Sequence, residues 1–150
     1  MTAMQQLPHF DQLLNLLEIF EILASSKEVT ELNDKDTTVK LFFDDKIRMG
    51  AVYKYIHAKY DKSPDVNDVA ASVHLSTSAF CRYFKKQTRM TFTDFVNQYR
   101  ITQAKTLLLK GSSVTEVCYE VGFQSLSYFN KLFQKLTGEN PSAFKRRYVK

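Results

Sequence analysis

Apolar residues recur at three- and four-residue spacing along most of the chain, the period of amphipathic helices. Leu13, Leu16, Leu17, Phe20, Leu23 and Ala24, with Glu18 and Glu21 between them, predict a helix over Phe10 to Ala24. Ser25 to Thr38 is polar and reads as a linker. Val52, Ile56 and Tyr60 form the next apolar row, in a helix expected from about Asp44 to Tyr60. Asp61-Lys62-Ser63-Pro64 ends it, because the residue before proline is pushed out of the helical region. Beyond Pro64 each helix start carries a capping residue. Asp65 precedes Val66, Val69, Ala70 and Val73, and Ser76 precedes Phe80 and Phe84. Thr91 with Asp94 opens a long helix, Phe92 to Leu109, which Gly111 ends, and Ser113 with Glu116 forms a capping box. Ser125 and Asn140 mark the last two starts, with Pro141 at a first helical position, where its missing N–H costs nothing. The expectation is an all-α chain of eight helices without strands. Residues 1–43 would form an N-terminal amphipathic helix and linker, and residues 44–150 a helical body.

The stretch Val66 to Tyr99 recurs as Val114 to Tyr148. Val66, Val69 and Val73 match Val114, Val117 and Val121. One extra residue then enters the second turn, after which Ser76/Ser125, Ser78/Ser127, Phe80/Phe129, Phe84/Phe133, Lys86/Lys135, Thr88/Thr137, Phe95/Phe144 and Tyr99/Tyr148 are identical pairs. Apolar periodicity alone would not repeat polar identities, so the chain contains an internal duplication. Each copy is a short helix, a tight turn and a longer helix bearing aromatic and basic residues, the arrangement of a helix-turn-helix. These units fall at about residues 65–88 and 113–137, joined by the helix at 92–109. Ala70 and Cys118 are small enough for the second helix to cross closely, and Phe80 with Phe84, like Phe129 with Phe133, anchors it at i, i+4 spacing. In the long helix, Phe92, Phe95, Val96 and Tyr99 dominate the first half and Ile101, Ala104, Leu107 and Leu108 the second. The first half is therefore expected on the first unit and the second half on the other.

Composition changes the picture through charge. Residues 1–45 hold 3 Lys/Arg against 9 Asp/Glu, whereas residues 46–150 hold 18 against 7. A basic body suits a polyanion, although charge alone equally suits a solvated surface. No apolar run approaches the ~18–20 residues of a membrane helix, and Met1 to His9 lacks the pattern of a signal peptide. Cys81 and Cys118 form no CxxC pair, which suits reduced thiols in a cytoplasmic protein.

Tyr99-Arg100-Ile101, Ala104-Lys105, Leu107-Leu108, Gly122-Phe123, Ser127-Tyr128-Phe129-Asn130-Lys131, Phe133, Gly138 and Asn140-Pro141 carry a resemblance to the AraC/XylS family of transcription regulators. It covers about residues 46–150. It implies two helix-turn-helix subdomains on a linker helix, with both recognition helices in the major groove of double-stranded DNA, and activation of transcription through contact with RNA polymerase. His74 and Arg89 stand where the family usually has glycine. His accepts a positive φ more readily than most residues, while Arg89 must follow another path or accept strain. Family members often carry an N-terminal sensing or dimerisation domain. The head resembles only its last helix and linker, which would pair two copies, pack on a missing sensor domain, or fold against the body.

Residues near the start of a recognition helix, away from its anchors, reach base edges. Those positions are Ser78, Ala79, Cys81 and Arg82 in the first unit and Leu126, Ser127, Asn130 and Lys131 in the second. Arg82 and Lys131 suit guanine acceptors and Asn130 suits adenine, against the alternatives of phosphate contact or solvation. Ser76, Lys85, Lys86, Arg100, Ser125, Lys135, Lys145, Arg146 and Arg147 are candidates for phosphate contacts, with Arg100 alternatively an ion-pair residue inside the fold. Cys81 beside Arg82 and Lys85 could serve redox sensing, but a small groove-facing side chain explains it as well. Cys118 reads as a buried spacer.

Catalysis finds little footing. His9, His57 and His74 are scattered without metal-ligand spacing, and neither a phosphate loop nor a nucleophile elbow is present. No cofactor or metal is called for. A sequence-independent nucleoid-type DNA binder shares the charge argument but does not need the duplicated unit.

Overall fold

The computed structural model describes residue 19 and residues 37–148. The helix expected at Phe10 to Ala24 lies outside the described residues except for Ile19, which is helical. Among the described residues there are seven helices and no strand: α1 Thr37–Lys59, α2 Val66–Ser72, α3 Thr77–Thr88, α4 Phe92–Leu109, α5 Val114–Glu120, α6 Leu126–Thr137 and α7 Pro141–Tyr148. The start of α1 corrects the expected Asp44. Neither Gly nor Pro interrupts residues 37–49, so the acidic pair Asp44-Asp45 lies inside the helix, and the expected boundary at residues 43/44 falls within it. The chain divides into two compact units between Tyr55 and Ile56. The second of these carries both helix-turn-helix copies.

The caps behave largely as their residue types dictate. Asp65 accepts from the Asn67 amide at 2.6 Å, Ser76 from Ala79 at 3.3 Å, Ser125 from Tyr128 at 3.3 Å and Asn140 from Ala143 at 2.8 Å. Each satisfies a backbone donor that the first helical turn leaves unpaired. Ser113 and Glu116 form the reciprocal capping box, with bonds of 3.2 and 3.0 Å. Thr91 and Asp94 depart from it. The Asp94 amide donates to the Thr91 hydroxyl at 3.1 Å, but that hydroxyl then donates to the Asp94 carboxylate at 2.7 Å. Aspartate is one methylene shorter than glutamate, so its carboxylate meets the capping side chain. At the other end of α4, Gly111 (φ +97°) closes a Schellman turn in which Ser112 N–H donates to Leu107 C=O and Gly111 N–H to Leu108 C=O.

The duplication extends to ring geometry. Phe80 and Phe84 lie 5.5 Å apart and Phe84 meets Phe95 at 5.4 Å; their counterparts Phe129 and Phe133 lie 5.7 Å apart and Phe133 meets Phe144 at 5.5 Å. All six rings are buried. The first half of α4 therefore closes the first core through Phe92 and Phe95, as α7 closes the second through Phe144. Its second half supplies Ile101, Ala104 and Leu108 to the second core, among Val117, Cys118, Val121 and Phe123. The shared Thr88/Thr137 pair also has a structural purpose. Thr88 Oγ1 lies 2.8 Å from Phe84 C=O and accepts from the Met90 amide at 3.2 Å; Thr137 repeats this with Phe133 C=O at 2.8 Å and the Glu139 amide at 3.5 Å. Each hydroxyl ties the end of the second helix to the chain leaving it.

Candidate nucleic-acid interface

In each copy the turn sets the second helix across the first. Leu75 N–H reaches back to Ala70 C=O at 2.9 Å, and Phe123 N–H to Cys118 C=O at 3.0 Å. Ala70 and Cys118 are buried, in keeping with their expected spacer role. Burial raises the pKa of the Cys118 thiol, so it is held as the neutral form. The left-handed positions in the two copies are filled differently: His74 (φ +57°) and Arg89 (φ +62°) in the first, Gly122 (φ +91°) and Gly138 (φ +83°) in the second. Arg89 thus takes the conformation usual for glycine and accepts its strain.

With phenylalanines buried on one side of α3 and α6, the opposite side is open. Ser78, Cys81 and Arg82 are exposed on α3, and Ser127 and Lys131 on α6, in repeat-equivalent positions for Ser78/Ser127 and Arg82/Lys131. Ala79 is half-buried. Leu126 packs against the second core and is an apolar anchor at the start of α6 more than an open-face residue. Asn130 is also half-buried, and its Oδ1 is buried without a hydrogen-bond partner. An orphaned acceptor of this kind costs about 1–3 kcal/mol. A rotation that brings it to a donor outside the protein recovers that cost.

The basic residues fall into two groups. Lys85, Lys86, Lys135 and Arg146 are exposed, as are the capping residues Ser76 and Ser125. The others named as phosphate candidates are engaged within the fold. Arg100 donates from Nε to Tyr60 C=O at 2.7 Å and from Nη2 to Lys62 C=O at 2.6 Å, with its guanidinium 5.4 Å from the centre of the Phe123 ring. Burial presses its pKa down, while Asp61 and Tyr128 act in the opposite sense. Carbonyls of the chain itself are its partners; it fastens the loop after α1 beside the turn of the second helix-turn-helix copy. Lys145 donates to Gly111 C=O at 2.7 Å and Ser112 C=O at 2.9 Å, in the turn between α4 and α5. Arg147 pairs with Glu139 at 2.9 Å. The internal role left open for Arg100 is the one its geometry favours, with carbonyls as its partners in place of a carboxylate; for Lys145 and Arg147 charge does not say which partner will be near.

Two residues gain a role that the sequence does not assign them. Tyr128 lies at the start of α6, half-exposed, with its ring against Phe123 at 6.0 Å. Asn97, on α4, is the one buried polar side chain among the described residues, and its Nδ2 donates to Tyr128 Oη at 3.3 Å. The duplication could have drawn attention to Tyr128, because its counterpart in the first copy is Ala79. No feature of the sequence marks Asn97. Among the described residues no group of His, Cys, Asp and Glu could hold a metal ion, and no helix is long and apolar enough to cross a membrane.

A family model described as a helix-turn-helix domain matches residues 69–147, more than half of the chain. An uncharacterized HTH-type transcriptional regulator from the cgkA 5′ region of Pseudoalteromonas carrageenovora is 42% identical over 94 residues, covering 63% of this chain and 56% of the relative. The Msm operon regulatory protein of Streptococcus mutans is 29% identical over 140 residues, covering 91% of this chain and 48% of that protein. The chain spans roughly a third to just over half of the length of such curated relatives, between 34% and 56%. Among solved structures, a probable AraC family transcriptional regulator from Rhodopseudomonas palustris shares the fold with a TM-score of 0.63 at 23% identity, covering 68% of this chain and 97% of that one. The DNA-binding domain of AdpA, solved in complex with a target DNA, has a TM-score of 0.61 at 26% identity, covering 67% and 91%. Sequence and architecture agree, and the chain belongs to the AraC-type helix-turn-helix family of transcriptional regulators.

Proposed function

We propose that this chain binds double-stranded DNA with sequence specificity and regulates transcription, with α3 and α6 entering two adjacent major grooves. One observation carries the reading: a single scaffold, built twice around α4, leaves an exposed polar face at the start of each second helix, with Arg82 and Lys131 at equivalent positions. The AdpA domain, of the same architecture, is solved with a target DNA. Arg82 and Lys131 would read guanine acceptors and Asn130 would exchange its orphaned acceptor state for an adenine amino group, with Ser78, Cys81 and Ser127 alongside. Lys85, Lys86, Lys135, Arg146, Ser76 and Ser125 would hold phosphates, which adds affinity and salt dependence without sequence information.

The finer parts of the reading rest on the family: activation through contact with RNA polymerase, a cytoplasmic location, no catalytic activity of its own, and self-association through the N-terminal segment or through sequence of the kind that makes its relatives longer. The division of labour between residues 1–43 and 44–150 belongs to the same proposal.

Selection of bound duplexes from a random library tests it. A bipartite motif is expected, with half-sites about 10–10.5 base pairs apart. Arg82→Ala should relax one half and Lys131→Ala the other, each by about 1–3 kcal/mol of discrimination. Failure of any sequence to enrich, with both variants weakening all duplexes equally, would leave a nucleoid-type binder in its place.

A further inference from the structure

A polar and aromatic cluster occupies the middle of α4, where its two halves pass from one core to the other. Asn97 and Arg100 are one turn apart. Asn97 holds the Tyr128 hydroxyl at the start of α6, and Arg100 clamps Tyr60 and Lys62 while lying over Phe123, whose ring meets Tyr128. The clamped loop rests directly on the second turn, since a Cβ at Gly122 would stand 2.5 Å from the Asp61 carbonyl oxygen. On the far side of α4, Tyr99 Oη meets His57 Nδ1 at 2.7 Å and the Tyr99 ring meets Tyr60 edge-on at 5.1 Å, so the end of α1 is seated against α4 from a second direction.

Apolar packing in the two cores orients each recognition helix within its own unit. Packing of both cores on α4 sets one unit against the other, but apolar contacts are non-directional, and directional bonds sharpen the angle that they leave. The Asn97–Tyr128 bond and the Arg100 fork are such bonds, and they run from the centre of α4 to the start of α6 and to the turn before it. Leaving the Asn97 amide unpaired would carry a desolvation cost, so the bond has one preferred geometry.

We infer that Asn97, Arg100 and Tyr128 are positioning residues that set the angle between α3 and α6, and thereby the half-site spacing the protein accepts. This rests on the DNA-binding reading above. One base pair added between half-sites turns the second by about 34° and moves it by ~3.4 Å, so a rigid joint discriminates sharply between spacings.

The test uses the full chain and the duplex enriched by selection, together with versions carrying one base pair more or fewer between the half-sites. The unaltered chain should lose at least about tenfold in affinity on either altered duplex, the equivalent of one or two lost base contacts. Tyr128→Phe keeps the ring against Phe123 and removes only the hydroxyl. It and Asn97→Ala should each lose no more than about threefold on the altered duplexes, and the double variant no more than either, since the two share one bond. Arg100→Lys, which cannot bridge both carbonyls, should relax the spacing further. Base preferences within each half-site should stay as they were. Asn97 is buried and cannot touch DNA, so an effect of Asn97→Ala on spacing can only pass through the joint. An unchanged spacing penalty in both Tyr128→Phe and Asn97→Ala overturns the inference. So does a changed base preference with unchanged spacing, which would make Tyr128 a reading residue. If the unaltered chain enriches no motif, the DNA-binding reading itself has failed, and this inference with it.

Discussion

The two helix-turn-helix copies solve the same backbone problem with different residues. Both need left-handed conformations in the turn and after the second helix; the first copy puts His74 and Arg89 there, the second Gly122 and Gly138. The difference separates two demands that glycine usually meets together. His74 and Arg89 are exposed, so their side chains cost only the conformational strain of about 1–2 kcal/mol. Gly138 likewise has nothing within 4 Å of an added Cβ. Gly122 is buried, and an added Cβ would meet the Asp61 carbonyl at 2.5 Å and Arg100 Nη2 at 3.0 Å. At that one position glycine is required by space as well as by φ, because the loop after α1 lies on the second turn.

That contrast can be broken most forcefully at Gly122. Gly122→Ala combines positive-φ strain with overpacking against backbone, and should destabilise the second unit by about 3 kcal/mol in chemical denaturation. Gly138→Ala, with strain alone, should cost about 1 kcal/mol; equal losses at the two sites would show that the Asp61 contact is unimportant. The reverse change, Arg89→Gly, should stabilise the chain by roughly 0.5–1 kcal/mol, since it removes the strain while restoring some freedom to the unfolded chain.

Smaller differences between the copies sharpen the comparison. Only the second copy's first helix opens on a capping box, and hydrogen bonds from the Ser113 side chain and backbone hold Glu116 below the usual carboxylate range. A depressed carboxylate pKa stabilises the folded state above the unfolded pKa, and that contribution is lost as pH falls through the folded value. NMR titration should therefore find Glu116 titrating below ordinary glutamates, and Ser113→Ala should bring it back towards them. The two thiols differ as well: Cys81 is exposed and Cys118 buried. A disulfide reagent at neutral pH should modify Cys81 in the native chain and reach Cys118 only on unfolding; rapid modification of both would mean the second core opens easily.

Much of this architecture was legible along the chain because it is encoded within three or four residues. Ser76, Ser113, Ser125 and Asn140 each announce the helix that follows, and the spacing of Phe80 with Phe84 or Phe129 with Phe133 gives the buried side. The duplication gave the rest, including the split packing of α4. The features that local sequence does not reveal have partners distant in the chain. Arg100 finds carbonyls 38 and 40 residues away, and Lys145 finds carbonyls 33 and 34 residues away. A basic residue looks the same in sequence whether it meets phosphate, water or the end of a neighbouring helix. The start of α1 differs for another reason: the apolar row Val52, Ile56 and Tyr60 marks only the later part of a helix that neither glycine nor proline stops from extending upstream to Thr37.

The long helix has a thermodynamic consequence as well. Because Phe92 and Phe95 are buried in one core while Ala104 and Leu108 are buried in the other, α4 cannot unravel for the sake of either copy alone. Melting one core frees half of a helix whose remaining turns then lose a cooperative neighbour. The two copies are thereby bound to a common transition. A cavity opened at Phe84 should be felt by a probe placed at Phe144, and residues 56–150 should unfold in one step despite containing the same motif twice.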